Sequence, residues 1–503
     1  MTSQEERASY RVQALGALLG LGACGLAPDE GRVGPGVLLI VVDGLRADHL
    51  SSFGYDRPTT PALDLLADDG LRFTHAFTAA PLLVPSHASL MTGSDPFLAR
   101  RFLPREFEGH EERNWRIPEA LPRLAAEFLA AGWRTAAFVD DPALDPVFGF
   151  GVGFQLYDLP ESPAPSGSPA HERCTRFLSW LQTLDRGSRW FATLHLSDLE
   201  RSWAAPQGSW EEYFPPRPEL SEVPPVGTTD AVLFSVPHSR WRGGSHTLGE
   251  YEASYDGHLR KVDEELGELC GSLRRLGRFE QTSIAVVGSF GVQFGEAGLY
   301  LCSGRYSLAD LHVPWILRLR QDSAVRSTRA GAIDDLASSI DVAPTLLALE
   351  GIQPPRGMLG LSFRSRIEGG PQRAPVRSFV FASCGMQEGG AVLGAQDCLE
   401  VLFPGEVVEG AVRRAWFGEE VAPDSAAVVR FYPWKRKPFH PLSEVGLDLA
   451  NATCRSMWEA WNLRAERLRK AQHLLQRYPL ADAEVDAAEQ GELAELGYLG
   501  EIP

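Results

Sequence analysis

Val37-Leu38-Leu39-Ile40-Val41-Val42-Asp43-Gly44 is the stretch on which the reading of this chain turns. Six apolar residues in a row, mostly branched, suit a strand buried on both faces of a parallel sheet. The run stops at an acid and a glycine. Open α/β sheets gather their ligands at the carboxyl ends of their strands, so Asp43 stands where a site is expected. Further on, Pro85-Ser86-His87-Ala88-Ser89-Leu90-Met91-Thr92-Gly93 reads as the start of a helix and the turn that ends it.

Working outward, strand and helix patterns alternate. Thr60 and Pro61 have the chemistry of an N-cap and first helical residue, with Gly70 as a stop. Residues 118–131 predict a helix with Leu121, Leu124, Phe128 and Leu129 on one face. Residues 135–139 and 190–194 predict strands, the second leading into His195. A long helix is expected over 250–276, where apolar residues recur every three or four positions. A strand over 283–287 enters a glycine-rich loop over 288–298; a strand over 315–319 and a helix over 335–349 follow. This alternation predicts a three-layer α/β/α fold around a mainly parallel central sheet.

After about residue 375 the pattern changes to short β-like runs over 378–382, 398–403 and 426–432, with no helices between them. They predict a small antiparallel C-terminal subdomain, closed by an amphipathic terminal helix over 454–478. The expected division is a leader over 1–24, a linker over 25–36, an α/β domain over 37–372 and the C-terminal subdomain over 373–503.

The chain has 503 residues, is 44% hydrophobic and carries a formal net charge of -18, which fits a folded protein of more than one unit. That acidity argues against nucleic acid as a partner, because phosphate backbones are held by Lys and Arg. Near the N-terminus, Arg7 and Arg11 precede an apolar run over 12–23 that ends at Cys24. The run is too short to span a bilayer and has the length of a signal-peptide core. Leu21-Gly22-Ala23-Cys24 resembles a bacterial lipobox, which implies a lipid anchor on Cys24 and an exported envelope location. The other cysteines show no CxxC spacing, so a zinc site of that kind is not expected; a Cys384–Cys398 disulfide would suit an exported protein. Residues 200–247 are rich in Pro, Gly, Ser and Trp and read as a long excursion over the top of the sheet.

The order of the motifs resembles that of the sulfatases, a branch of the alkaline phosphatase superfamily. Asp43-Gly44-Leu45-Arg46-Ala47-Asp48-His49 is similar to that family's first metal-bearing strand end. Thr59-Thr60-Pro61, Leu71-Arg72-Phe73, Pro85 to Gly93, Tyr255-Asp256-Gly257 and Val313-Pro314 resemble later landmarks, as do Asp341-Val342-Ala343-Pro344-Thr345 and Leu496-Gly497-Tyr498-Leu499-Gly500. The resemblance implies an alkaline-phosphatase-like fold. It also implies ester hydrolysis by a formylglycine made from a Cys or Ser two residues before the Pro-Ser pair. A divalent cation, usually calcium, assists there, held by acids at the first strand end and by an Asp-Asn or Asp-His pair after a later strand.

The chain departs from that pattern at the chemistry itself. The nucleophile position is Leu83, whose isobutyl group can neither attack nor be oxidised to an aldehyde. Gly44 stands where a second acid is common, and Ser289 and Phe290 where the later metal-binding pair is expected. Glu200, in Asp198-Leu199-Glu200, replaces the family's cationic His, and a carboxylate there repels a bound anion. Asp43 then reads either as a residual metal ligand, with Ser289 as a weak second, or as a capping carboxylate. Leu83, Ser86, His87, His195 and Glu200 line the expected pocket; Ser86 and Ser89 are the nearest substitute nucleophiles, and His195 reads as a lone structural histidine.

Two functions are consistent with these residues. One is a sulfatase-like pseudoenzyme without a cofactor, kept for binding a glycan or an envelope protein, with Trp203, Trp210 and Trp241 as stacking surfaces. The other is an active sulfuric- or phosphoric-ester hydrolase with a rearranged site that keeps a divalent cation such as calcium.

Overall fold

The computed structural model describes residues 33–102, 115–160, 168–201, 213–227, 235–241, 246–323, 331–369, 376–402, 428–433 and 451–464, apart from short gaps within these spans. The expected leader with Cys24, most of the linker, Trp203, Trp210 and the far half of the terminal helix lie outside the described residues.

The main sheet comprises β1 (Gly36–Asp43), β2 (Leu71–Phe73), β6 (Arg134–Phe138), β7 (Leu156–Asp158), β8 (Trp190–Leu196), β9 (Thr282–Phe290), β10 (Trp315–Arg318) and β11 (Gly331–Ile333). β3 (Ala76–Phe77) pairs with β12 (Ala337–Ser338), and β4 (Arg101–Phe102) with β5 (Trp115–Arg116), as small ribbons. The spatial order is β11-β2-β10-β9-β1-β8-β6-β7, with β1 inside the sheet between β9 and β8 and parallel to both. Only β10 opposes its neighbours, β9 and β2. The carboxyl ends of β1, β8, β9 and β6 therefore open on the same edge.

Helices cover both faces: α1 (Pro61–Asp68), α2 (Leu83–Thr92), α3 (Leu124–Ala130), α4 (Pro169–Thr183), α5 (Leu248–Arg275) and α6 (Val342–Leu349). The two cores divide β1 by its pleat. Leu38, Ile40 and Val42 pack with Phe177, Leu181, Leu259, Val262 and Leu266 of α4 and α5. Val37, Leu39 and Val41 pack with Leu90, Phe128, Leu346 and Leu347 of α2, α3 and α6. Successive side chains of a strand point to opposite faces, so an unbroken apolar run is what a strand between two helix layers requires. Each such fully buried side chain contributes roughly 1.5–3 kcal/mol.

A second sheet, β13 (Val380–Gly385), β14 (Gly389–Leu393), β15 (Asp397–Leu402) and β16 (Val428–Pro433), is antiparallel throughout. The expected subdomain is thus present, with one strand more than the sequence pattern indicates, because β14 begins on glycines. β14 lies between Cys384 and Cys398, and the register sets Cys398 level with Leu393 and Val380. Strands two apart are separated by roughly 9–10 Å, a spacing that disfavours the Cys384–Cys398 bridge; the Cys384 side chain lies outside the described residues.

Several boundaries differ from expectation. The helix predicted over 118–131 begins only at Leu124, because Pro122 disfavours helical backbone at Leu121. The predicted helix over 335–349 is β12, a short 3-10 turn (Ser339–Asp341) and then α6, with Pro344 in the first turn, where no N–H is needed. Thr60 makes no capping bond; Asp263 of α5 caps α1 instead, accepting from the amides of Ala62 and Leu63, both at 2.8 Å. The predicted loop over 288–298 starts later, since β9 runs through Ser289 and Phe290. Thr247 and Glu250 close a capping box on α5. Among the described residues no helix is long and apolar enough to cross a membrane.

Candidate functional site

The shared strand edge places Asp43 at the end of β1, wholly buried. His195 comes from the penultimate position of β8, and His87 from the first two turns of α2. Both rings are buried. Asp43 Oδ1 lies 2.9 Å from His87 Nε2, and Oδ2 lies 2.6 Å from His195 Nε2. Ser289, on β9, donates its hydroxyl to Oδ1. The two imidazole rings meet edge to face, with centroids 4.7 Å apart.

His195 is therefore not the lone histidine that the sequence suggests. Its other nitrogen, Nδ1, lies 3.0 Å from Asp140 Oδ1, just beyond the end of β6. Asp140 is anchored through Oδ2 by the Ser197 amide at 3.2 Å and the Ser197 hydroxyl at 3.0 Å. Asp140 is a site residue that the sequence reading missed. Its signal is the one that marked Asp43, an acid closing an apolar strand, here Phe138-Val139-Asp140.

The electrostatics follow from this packing. Burial alone would push the Asp43 carboxyl up, but the two imidazoles override it and hold it well below the ordinary carboxylate range. Burial pulls the His87 ring below its ordinary value despite Asp43. Burial also opposes charge on His195, yet the two acids flanking it raise that ring well above its ordinary value. Glu200 is pushed up to about 7, first by burial and then by the Asp43 charge, with Arg240 opposing at 3.4 Å. Arg240, brought in by the excursion, also donates to the carbonyl of Leu301, a buried residue in left-handed backbone at φ 56°.

The other predicted residues have structural partners. Leu83 is the first residue of α2, half-buried against the pocket of Ala88, Ile117 and Leu144. The Ser86 hydroxyl donates to the Leu83 carbonyl at 2.9 Å, and that of Ser89 to the Pro85 carbonyl at 2.8 Å. Both hydroxyls are thus turned back onto their own helix. Asp198 accepts from the Ser168 hydroxyl at 2.6 Å and the Ala170 amide at 3.0 Å, holding the start of α4. Trp241 is 40% exposed on its short segment.

A hard calcium ion takes six to eight oxygens, usually from more than one carboxylate. Here Asp43 is met by two ring nitrogens and one hydroxyl, Phe290 is buried as its register partner on β9, and Gly44 at φ 73° offers no side chain. These residues do not fit calcium. Asp43, His87 and His195 nonetheless bring one carboxylate and two imidazole donor atoms within 4.8 Å of one another, so Asp43 has a partner set that the sequence alone did not reveal.

The family model for sulfatases matches residues 35–352. The chain belongs to the sulfatase family. An arylsulfatase of Clostridium perfringens is 23% identical over 395 residues, covering 66% of this chain and 78% of that protein. Arylsulfatase A of Homo sapiens is 24% identical over 379 residues, covering 69% and 70%. The fold is that of phosphonate monoester hydrolase from Agrobacterium radiobacter, at TM-score 0.63, 18% identity, and 87% and 96% of the two chains. It is also that of a 2-O GAG sulfatase, at TM-score 0.57, 18% identity, and 90% and 95% coverage.

Proposed function

We propose that this sulfatase-family protein has lost the formylglycine route to ester hydrolysis and serves as a binding protein of the bacterial envelope. It is exported, held to the membrane by a lipid on Cys24, and binds a glycan or an envelope protein. The observation that carries this reading is Leu83 opening α2, with no convertible side chain where the family's nucleophile is expected. Ser86 and Ser89 supply no replacement while their hydroxyls are bonded to the turns behind them. Phe290 and Gly44 remove two further oxygen ligands.

One observation favours a second reading, an active ester hydrolase with a rearranged cation site: the convergence of Asp43, His87 and His195. Both readings meet in one assay. The purified full chain is incubated with chromogenic sulfate and phosphate esters, with calcium, manganese or zinc added in turn. The binding-protein reading expects no turnover above buffer. Turnover that disappears in Asp43→Ala overturns it in favour of the hydrolase.

A further inference from the structure

His195 sits between two buried acids, Asp43 at 2.6 Å and Asp140 at 3.0 Å. Asp140 meets Nδ1 in two ways, its carboxylate at 3.0 Å and its backbone amide, which points its N–H at the ring, at 3.4 Å. In the tautomer that directs Nδ1–H at Asp140, Nε2 presents its lone pair to Asp43. Two lone pairs at that separation repel unless something positive lies between them, either a second proton or a metal ion. Three carboxylates, Asp43, Asp140 and Glu200, stand around the two imidazoles, with Arg240 at 3.4 Å from Glu200.

We propose that Asp43, His87 and His195 form a binding site for one divalent cation of the zinc class, replacing the calcium chemistry implied by the family. The donor set is two imidazole nitrogens and one carboxylate, which suits zinc and its first-row neighbours and not a hard oxygen-seeking ion. Metal-bound histidines almost always have an acceptor on the far ring nitrogen, and the Asp140 carboxylate, 3.0 Å from Nδ1, stands at that position. Ser197 holds Asp140 in turn through two bonds. The three donor atoms already lie within 4.8 Å of one another. An ion with bonds of about 2.0–2.2 Å reaches all of them by small side-chain movements, displacing the protons now shared by the pairs. Burial of every donor makes this a tie between the ends of β1, β8 and α2, compatible with the absence of turnover proposed above.

The test is metal uptake, read without any substrate. The full chain, stripped with a chelator and dialysed, is titrated calorimetrically with zinc, manganese and calcium, and the loaded protein is analysed for metal by mass spectrometry. The expected result is one zinc ion per chain, undisturbed by excess calcium. His87→Gln and His195→Gln abolish that uptake, and Asp140→Asn weakens it about 10–100-fold. No uptake by the wild-type chain, preference for calcium, or uptake unchanged in folded His195→Gln overturns the proposal. Should His195→Gln not fold, the wild-type titration and Asp140→Asn decide alone. Ester turnover is scored separately: zinc uptake without turnover supports this site and the binding-protein reading together, while zinc-dependent turnover supports the site and sinks that reading.

Discussion

Replacing Asp43 by Asn keeps the shape of the side chain and removes its charge, so it measures what the buried carboxylate does for the fold. Asp43 is fully buried and faces His87 at 2.9 Å, His195 at 2.6 Å and the Ser289 hydroxyl. Asn opens no cavity, but it offers one acceptor where three groups converge and turns its amide toward an imidazole. Removing one partner of a buried charged pair costs roughly 3–5 kcal/mol, because the other charge is left uncompensated. His195 retains Asp140, which places the expected loss near the lower end, at about 3 kcal/mol. The assay is urea unfolding of chelator-treated protein, followed by the fluorescence of its 12 tryptophans. A double-mutant cycle with His195→Gln is expected to give a coupling of roughly 2–3 kcal/mol. A loss below about 1 kcal/mol, or a coupling near zero, would refute the reasoning that Asp43 and His195 are directly engaged.

Further outcomes follow from neighbouring residues. Leu83→Cys, coexpressed with a formylglycine-generating enzyme, is expected to give no turnover of a chromogenic sulfate ester, because Gly44 and Phe290 still deny the cation its oxygens; measurable turnover would count against that account. Gly44→Asp, which rebuilds the second acid, is expected to lower stability by roughly 1–3 kcal/mol in the same unfolding assay. Its backbone is at φ 73°, and a Cβ there meets Val292 at 3.0 Å. For pH, Asp263 is pushed up to about 6 from 3.8, chiefly by burial. Between those values the native chain holds a proton that the unfolded chain has shed, so stability falls as pH rises through that window and levels off above about pH 7. The Asp263 share is at most about 3 kcal/mol, and Asp198, also raised to about 6 by burial, adds in the same direction. Unfolding midpoints measured from pH 4 to 8 should show the decline, and Asp263→Asn should flatten it.

The sheet was legible because β1 needs apolar residues on both faces and has nothing else; Val37 to Val42 leave no other reading. Strand direction was not legible for β10, a four-residue run with no feature separating parallel from antiparallel. β14 was hidden by its glycines, and the true cap of α1 by distance, since Asp263 lies about 200 positions from the helix it caps. The departures at Leu83, Ser289 and Phe290 could be read because they are substitutions within ordered motifs. The clustering of Asp43, His195 and Asp140 could not. Their neighbourhood is made by adjacent strands β1, β8 and β6, and 152 positions separate Asp43 from His195.

The double-sided burial of β1 has a consequence for alignment. A strand that is apolar on both faces gains little from one register over the next, because a shift by one residue still buries valines and leucines on each side. Something at its ends must choose. At one end Gly36 leaves room for the Trp190 ring, which a Cβ would meet at 2.2 Å. At the other, Asp43 is latched to His195 of β8 and Ser289 of β9, the two strands flanking β1. A slip of one residue would drag that carboxylate into hydrocarbon and put Val42 or Gly44 among the imidazoles. Whatever chemistry the cluster performs, it also acts as the detent that sets the central strand of the domain, and hence which half of its side chains meets which layer of helices.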